Sequence, residues 1–346
     1  MSASPTIGFA VVGADHLHLF SIVGGLVDAG ASAVAHVESG ELIAGYAQWQ
    51  TDSEPRSFDE VLAADDVDLI VTVGIPDERA GVAIAALEAG KAVLSAKPGV
   101  IDRRSLDRIG ELVAGRSGRP FTVLFTERFE NRAIGRAVAM ARAGDVGRVV
   151  AVSGSGPHTL AAEHRPEWFW DPSRSGGILV DLASHQVDQF VALCGTDEPG
   201  AGIEVARSQV GNVSCPDHPE MQDVGSMTLL GPTAVGEHRV DLLSPAGLPT
   251  WGDVRLVVIG TTGTLEVRAN IDPGGEGLGE HLIVVDEAGT RRVDVSGDEL
   301  RWAHDLLEDL ADDGERLMTQ DHVLTVCDLA LRAQENAGSW GSGAGR

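Results

Sequence analysis

Apolar residues recur through the first 150 positions in short blocks separated by amphipathic stretches. Residues 7–12 form a compact apolar run that stops at Gly13, which predicts a buried strand; residues 17–29 then predict a helix. A second strand is expected over 41–47, and a stronger third over 67–73 (VDLIVTV). Residues 78–89 are good helix formers and end at Gly90, where a helix C-terminal glycine belongs. Residues 92–95 read as a fourth strand, Asp102 as the cap of a helix reaching about residue 114, residues 121–125 as a fifth strand and 132–142 as a helix. Apolar strands alternating with helices predict a doubly wound parallel sheet covered on both faces.

After Gly147 the pattern changes. Residues 149–153 read as a strand, 158–175 as a loop rich in Trp, Pro and Arg, and 178–193 as a helix bounded by Gly176-Gly177 and Gly195. Alternating, β-branched runs at 205–213, 226–230, 238–243, 254–259, 264–268 and 281–285 predict an antiparallel sheet. Two helices close the chain near 298–312 and 321–336. The expected organisation is an N-terminal α/β domain over 1–125, an α+β domain over 126–336 whose last helices can return to the first domain, and a flexible tail over 337–346.

Composition narrows the function classes. The 346 residues carry 52 Asp and Glu against 26 Lys and Arg, a formal charge of −26, which disfavours nucleic acid and anionic lipid as partners. No apolar run approaches the roughly 20 residues that span a bilayer, and the N-terminus has no basic segment leading into an apolar one. Cys194, Cys215 and Cys327 are widely spaced and make neither a disulfide framework nor a paired zinc motif, so a reduced, cytoplasmic setting is expected.

Three segments carry candidate chemistry. The first is V-V-G-A-D-H-L-H-L-F, residues 11–20, where a strand meets a helix N-terminus that could receive a diphosphate. Of the fingerprint G-x-G-x-x-G only Gly13 is present; Asp15 takes the place of the second glycine and His18 of the third. Asp15 would set a carboxylate near a diphosphate unless it points away or caps the helix. The plain alternative is the glycine turn that any doubly wound fold needs. The strand expected over 41–47 ends in G-Y-A-Q-W-Q, with no carboxylate for a ribose and no Arg nearer than Arg56 for a 2′-phosphate, so NAD and NADP stay undistinguished. His16 and His18 could contact phosphate or substrate, or simply open the helix.

The second segment is K-A-V-L-S-A-K-P-G-V, residues 91–100. The chain has only two lysines, Lys91 and Lys97, among 26 basic residues. Unlike Arg, a partly buried Lys can be tuned to share a proton with a substrate hydroxyl. Lys97 ends a predicted strand and Pro98 restrains the backbone after it, whereas Lys91 fits a solvated charge. The third is G-G-I-L-V-D-L-A-S-H-Q-V-D, residues 176–188, which places Asp181 and His185 four apart on one helix face. A carboxylate beside an imidazole raises its basicity and sets its tautomer, as a general base needs; a helix-capping Asp with a partly exposed His is the alternative. His158, His164, Arg165, Trp168 and Trp170 lie in the preceding loop and suit a wall of a polyhydroxylated-substrate site, or loop packing. A zinc site from Asp181, His185 and His164 lacks a compact ligand spacing, so no metal is expected.

Together these segments resemble the glucose–fructose oxidoreductase and inositol dehydrogenase family (Gfo/Idh/MocA). The match runs through I-P-D at 75–77, A-L-E-A-G-K-A-V-L at 86–94, A-K-P at 96–98, F-T-E-R-F at 125–129, A-G-D-V-G-R-V at 143–149, and Gly176, Gly177, Asp181, His185 and Asp188. It covers most of residues 6–336. The resemblance implies a Rossmann domain joined to a domain with a large open, mainly antiparallel sheet. It implies NAD(P)-dependent oxidation or reduction of a sugar, polyol or related hydroxyl compound, with His185 as general base, Asp181 orienting it or holding a hydroxyl, and Lys97 assisting proton transfer. Carried over by position, the cofactor residues are Gly13, Ala14, Asp15, His16, Gly74, Pro76, Lys97 and Pro98. Ala96 stands where the family has Glu before Lys-Pro. The reduced glycine turn leaves two rivals: a non-catalytic or regulatory relative, and a lyase or hydrolase with retained nicotinamide. An open sheet face predicts a homodimer or homotetramer.

Overall fold

In the computed structural model, which describes residues 6–114, 120–194, 202–272 and 279–340, the chain forms two units, Met1–Leu124 with Arg301–Leu324 and Phe125–Leu300 with Thr325–Arg346. The first unit runs β1 (Gly8–Ala14), α1 (His18–Asp28), β2 (Ser32–His36), α2 (Ile43–Trp49), β3 (Glu54–Pro55), α3 (Phe58–Ala63), β4 (Leu69–Val73), α4 (Pro76–Glu88), β5 (Ala92–Ala96), α5 (Arg103–Ala114) and β6 (Phe121–Leu124). Its six strands are all parallel in the order β3-β2-β1-β4-β5-β6. Every residue of β4, β5 and β6 is buried, as expected where helices cover both faces.

The second strand differs from the sequence expectation. Residues 41–47 are not a strand: Ile43–Trp49 is helix α2, and the strand is Ser32–His36. Alanines at 33 and 35 give β2 a weak apolar signal, yet both are buried beside β1. The Leu-Ile pair that looks strand-like instead follows Gly40 (φ +98°) and turns helical once Leu42 N–H is tied to the Ala14 carbonyl at 2.7 Å. Helix α3, opened by a reciprocal Ser57–Glu60 cap, and the two-residue β3 had no distinct periodic signal.

The second unit continues with α6 (Thr126–Phe129), α7 (Arg132–Ala143), β7 (Val149–Thr159), α8 (Pro172–Ser175), α9 (Ile178–Asp181), α10 (Ser184–Leu193), β8 (Glu204–Gly211), β9 (Val224–Leu230), β10 (Val235–Ser244), β11 (Arg255–Gly260), β12 (Gly263–Arg268), β13 (His281–Asp286) and β14 (Gly289–Val293). Then come α11 (Trp302–Asp312), α12 (Gln320–Glu335) and β15 (Gly338–Trp340). Helix α11 belongs to the first unit, where a Cβ on Gly25 of α1 would lie 2.4 Å from the Trp302 ring.

The nine-stranded sheet has the order β14-β13-β12-β11-β7-β10-β9-β8-β15 and is mixed, because β10 runs parallel to β7 and β15 parallel to β8. Three expectations are corrected here. Strand β7 continues to Thr159, so His158 lies on the sheet and not in the loop. The expected helix 178–193 is two pieces: both Leu182 and Ala183 direct their N–H groups at the Ile178 carbonyl, at 2.9 and 3.3 Å, which breaks the helix between Asp181 and His185. Of the expected loose tail, Gly338–Trp340 pairs with β8 because the bare backbone of Gly211 admits Trp340; residues 341–346, and Gly195 at the former helix boundary, lie outside the described residues.

Helices α7, α9 and α10 cover one face of this sheet. The other face carries a lateral row, Leu230, Val235, Ala151, Ile259, Thr264 and Val285, set by the strand register. Leu230, Val235, Ile259 and Val285 in that row are exposed. None of the helices among the described residues is long and apolar enough to cross a membrane.

Two buried polar features sit under α10. Asp188, fully buried, receives a bidentate pair of hydrogen bonds from Arg128 of α6, both 2.6 Å. His238 of β10 packs edge-on against Phe190 at 5.7 Å, hemmed by Gly154 and Gly236, and neither ring nitrogen has a protein hydrogen-bond partner among the described residues. Burial lowers its pKa from 6.5 to about 3.

Arg128→Met removes the partner of a buried carboxylate and is expected to cost about 3–5 kcal/mol, read as a lower denaturation midpoint. For His238 the folded state stays neutral where the unfolded state is protonated. Its stability contribution is therefore complete above pH 6.5 and lost progressively from there towards about pH 3. Urea unfolding is expected to weaken by up to ~1.4 kcal/mol per pH unit below 6.5. The same series on His238→Leu should lose that component of the pH slope.

Candidate functional site

The first unit's strand order reverses between β1 and β4, so the crevice beyond their carboxyl ends is the switch point at which parallel sheets bind ligands. Two glycines meet at its floor. A Cβ on Gly13 (φ +79°) would lie 2.8 Å from the Gly74 Cα, which excludes a side chain at position 13; a Cβ on Gly74 would lie 3.3 Å from the Gly13 Cα and 3.7 Å from Asp15 Oδ2. Helix α1 starts beside this floor without a side-chain cap and without an acidic residue in its first turn. His16 accepts the His18 N–H through Nδ1 at 3.2 Å, and the two rings meet edge-on at 4.3 Å.

Asp15 has a local partner in the β2–α2 loop: its Oδ1 accepts the Glu41 N–H at 3.0 Å. Beside it, the Gly13 N–H donates to Ser39 Oγ at 3.2 Å. The turn thus keeps the backbone shape of a glycine fingerprint at Gly13, while the second position holds a neighbouring loop. The corrected β2 also moves the position at which dinucleotide-binding doubly wound folds carry a ribose carboxylate. The strand ends at His36, and an exposed carboxylate, Glu38, follows two residues later. A carboxylate therefore follows the second strand, where a strand over 41–47 would have had none.

Lys97 follows β5 at the same carboxyl edge of the sheet. It is 5% exposed, and the Lys97–Pro98 peptide is cis. Arg79 of α4, 1% exposed, ties this segment to the switch point. Its Nε donates to the Gly74 carbonyl at 2.7 Å and its Nη1 to the Lys97 carbonyl at 2.6 Å, with Ala96 and Pro98 carbonyls at 3.3 and 3.2 Å. Pro76 opens α4 at a position where no backbone N–H is needed. Sequence reasoning missed Arg79; its signal is one cation on the buried stripe of Ala80, Ala83 and Ala86. Lys91 is held by the Ala64 carbonyl at 2.5 Å.

In the second unit every residue of α10 is buried. His185 meets Phe125 edge-on at 6.4 Å. Its helix neighbours are polar but partnered: Gln186 and Gln189 donate to Glu127 Oε2 at 2.8 and 3.1 Å, and Asp188 holds Arg128. Glu127 and Arg128 were not assigned a role from sequence, although two charges inside F-T-E-R-F mark them. Asp181 edges a narrow recess with Phe169, Ser175, Met221, Gln222 and Leu242.

The other loop candidates separate. Arg165 holds its own loop, donating to the Leu160 and Thr159 carbonyls at 2.7 and 3.1 Å and lying over the Phe169 ring at 4.2 Å. Burial lowers its pKa and the charge of Asp181 opposes the shift. Trp168 is buried, and Trp170 stacks on His218 at 3.9 Å. His158 lies 4.6 Å from the exposed Trp251, while His164 is exposed beside Glu163. Among the described residues no three His, Cys, Asp or Glu side chains gather as a metal site, and the three cysteines are free and buried.

Comparison with known proteins places this geometry. The GFO/IDH/MocA C-terminal domain profile matches residues 134–266. A solved candidate oxidoreductase from Erwinia carotovora atroseptica is similar over 96% of this chain and 99% of its own, at 33% identity and TM-score 0.91. A second candidate oxidoreductase, from Thermotoga maritima, has 19% identity and TM-score 0.80 over 96% of this chain and 98% of its own. Levoglucosan dehydrogenase, solved with NADH and levoglucosan, has 15% identity and TM-score 0.80 over 96% of this chain and 97% of its own; these last two show the shared fold alone. Curated protein sequences give no match. The two sheets, the profile match and the full-length similarity at 33% identity together establish that the chain belongs to the Gfo/Idh/MocA family.

Proposed function

We propose that this protein is an NAD(P)-dependent oxidoreductase that moves a hydride between a nicotinamide and a sugar, polyol or related hydroxyl compound. The observation that carries the reading is the Arg79 bridge, which sets Lys97 at the same sheet edge as the bare-backbone switch point at Gly13 and Gly74. The residues fit a dinucleotide: Gly13 and Gly74 leave room for close approach, Asp15 is engaged by Glu41, and α1 brings its N-terminus without an acidic first turn. Gly13, Ala14 and His16 would meet the diphosphate side; Gly74, Pro76, Lys97 and Pro98 would hold the nicotinamide side. Levoglucosan dehydrogenase, which shares the fold, binds NADH with a sugar derivative, which supports the hydroxyl-compound class.

A bound nicotinamide would supply the redox chemistry as the hydride partner of a hydroxyl-bearing carbon. His185 takes the hydroxyl proton as general base, and Asp181 holds a substrate hydroxyl or orients the imidazole. The ammonium of Lys97 stabilises the developing charge on the oxygen. Of the loop candidates, Trp170, His158 and His164 retain side chains suited to substrate contact, whereas Arg165 and Trp168 shape the loop. The exposed row Leu230, Val235, Ile259 and Val285 suits burial in a homo-oligomer.

Fluorescence titration with NADH and NADPH is expected to show binding of at least one below millimolar concentration; binding of neither overturns the reading. With a turned-over sugar or polyol in hand, His185→Ala is expected to lower kcat about 10²–10⁴-fold with nucleotide binding retained. An undiminished rate removes His185 as the base. Light scattering should report a dimer or tetramer, and Ile259→Lys a smaller species; a monomeric parent protein ends the assembly proposal.

A further inference from the structure

The β2–α2 loop, residues 37–42, is fastened to the β1–α1 turn by three hydrogen bonds. Gly13 N–H donates to Ser39 Oγ at 3.2 Å, Glu41 N–H to Asp15 Oδ1 at 3.0 Å, and Leu42 N–H to the Ala14 carbonyl at 2.7 Å. The fit is tight as well as polar. Gly40 has φ +98°, and a Cβ there would lie 2.4 Å from the Ala14 nitrogen. A glycine at position 15 would retain two of the three bonds and lose the one that fixes Glu41.

The fastened loop carries two exposed carboxylates, Glu38 two residues beyond the carboxyl end of β2 and Glu41 three residues further on. In a doubly wound fold, that position faces the adenosine ribose. A carboxylate there accepts from the two ribose hydroxyls of NAD and repels the phosphate ester that NADP carries on the 2′-oxygen. The basic residue that follows β3, next to β2 in the sheet, is Arg56. Its guanidinium is committed to Asp66 at 2.8 and 2.9 Å and to Glu54 at 3.1 Å. These bonds raise the Arg56 pKa, and the cation would have to leave two carboxylates to serve a 2′-phosphate.

We propose that Asp15, standing where the fingerprint has glycine, is a positioning residue that latches the β2–α2 loop to the turn, so that Glu38 and Glu41 make the crevice select NAD(H) over NADP(H). The inference rests on the nucleotide site of the proposed function and assigns its cofactor. It accounts for two of the departures in this half of the chain: Asp15 at the second glycine position and the position of the acid.

The test is the ratio of NADPH to NADH dissociation constants, measured by fluorescence titration on the full-length chain and on variants shown by thermal melting to be folded. The parent protein is expected to bind NADH about tenfold or more tightly than NADPH. Exposed Glu38 tolerates replacement, and Glu38→Gln should lower the ratio. Asp15→Asn keeps an acceptor for Glu41 N–H and should keep the ratio, whereas Asp15→Gly should lower it even if NADH affinity is held. Equal binding of both nucleotides by the parent overturns the inference and leaves the proposed function standing. Binding of neither overturns both. An unchanged ratio in Glu38→Gln and Asp15→Gly overturns the assignment to these residues.

Discussion

One buried guanidinium organises the carboxyl edge of the first unit's sheet. A parallel sheet leaves its strand ends as separate backbone segments, each followed by a loop that must satisfy its own carbonyl groups. Arg79 replaces that independence with a single planar donor fork, joining the Gly74 carbonyl after β4 to the Lys97 and Pro98 carbonyls after β5. Burying a cation this deeply is costly unless its donors are used, and here four carbonyls receive them. The arrangement fixes where Lys97 leaves its strand, and Lys97 is the residue on which the proposed chemistry in this unit depends.

The second unit solves a related problem with charges of opposite sign. A helix buried on every side cannot carry His185, Gln186, Asp188 and Gln189 unless each finds a partner. The short helix α6 supplies two of those partners from consecutive residues, Glu127 for both glutamines and Arg128 for Asp188. The polar core of this unit is therefore scaffolding for α10, which carries the imidazole proposed as base. His238 differs in having no hydrogen-bond partner on either ring nitrogen among the described residues, packed against Phe190 and the backbone of Gly154 and Gly236.

The family's pattern at the turn is altered without loss of its backbone shape. Gly13 keeps the positive φ, and Gly74 still packs its bare backbone against it. What has changed is the use of the second position, which in this chain reaches sideways to the next loop.

Elements with strong local signals were legible in the sequence. The apolar blocks of β1, β4, β5 and β6, the Gly90 stop of α4 and the Asp102 cap of α5 each rest on interactions within a few residues. The motif residues Lys97, Asp181 and His185 were legible as types, because their chemistry belongs to the side chain itself. What the sequence could not decide were features set by distant partners. Ser32–His36 is a strand because β1 and β3 flank it, and Ile43–Trp49 is a helix because Ala14 holds its entry. The break before His185 and the roles of Arg79, Glu127 and Arg128 likewise depend on neighbours remote in the chain. Local propensity and side-chain chemistry are properties of short segments; hydrogen-bond partners brought together by folding are not.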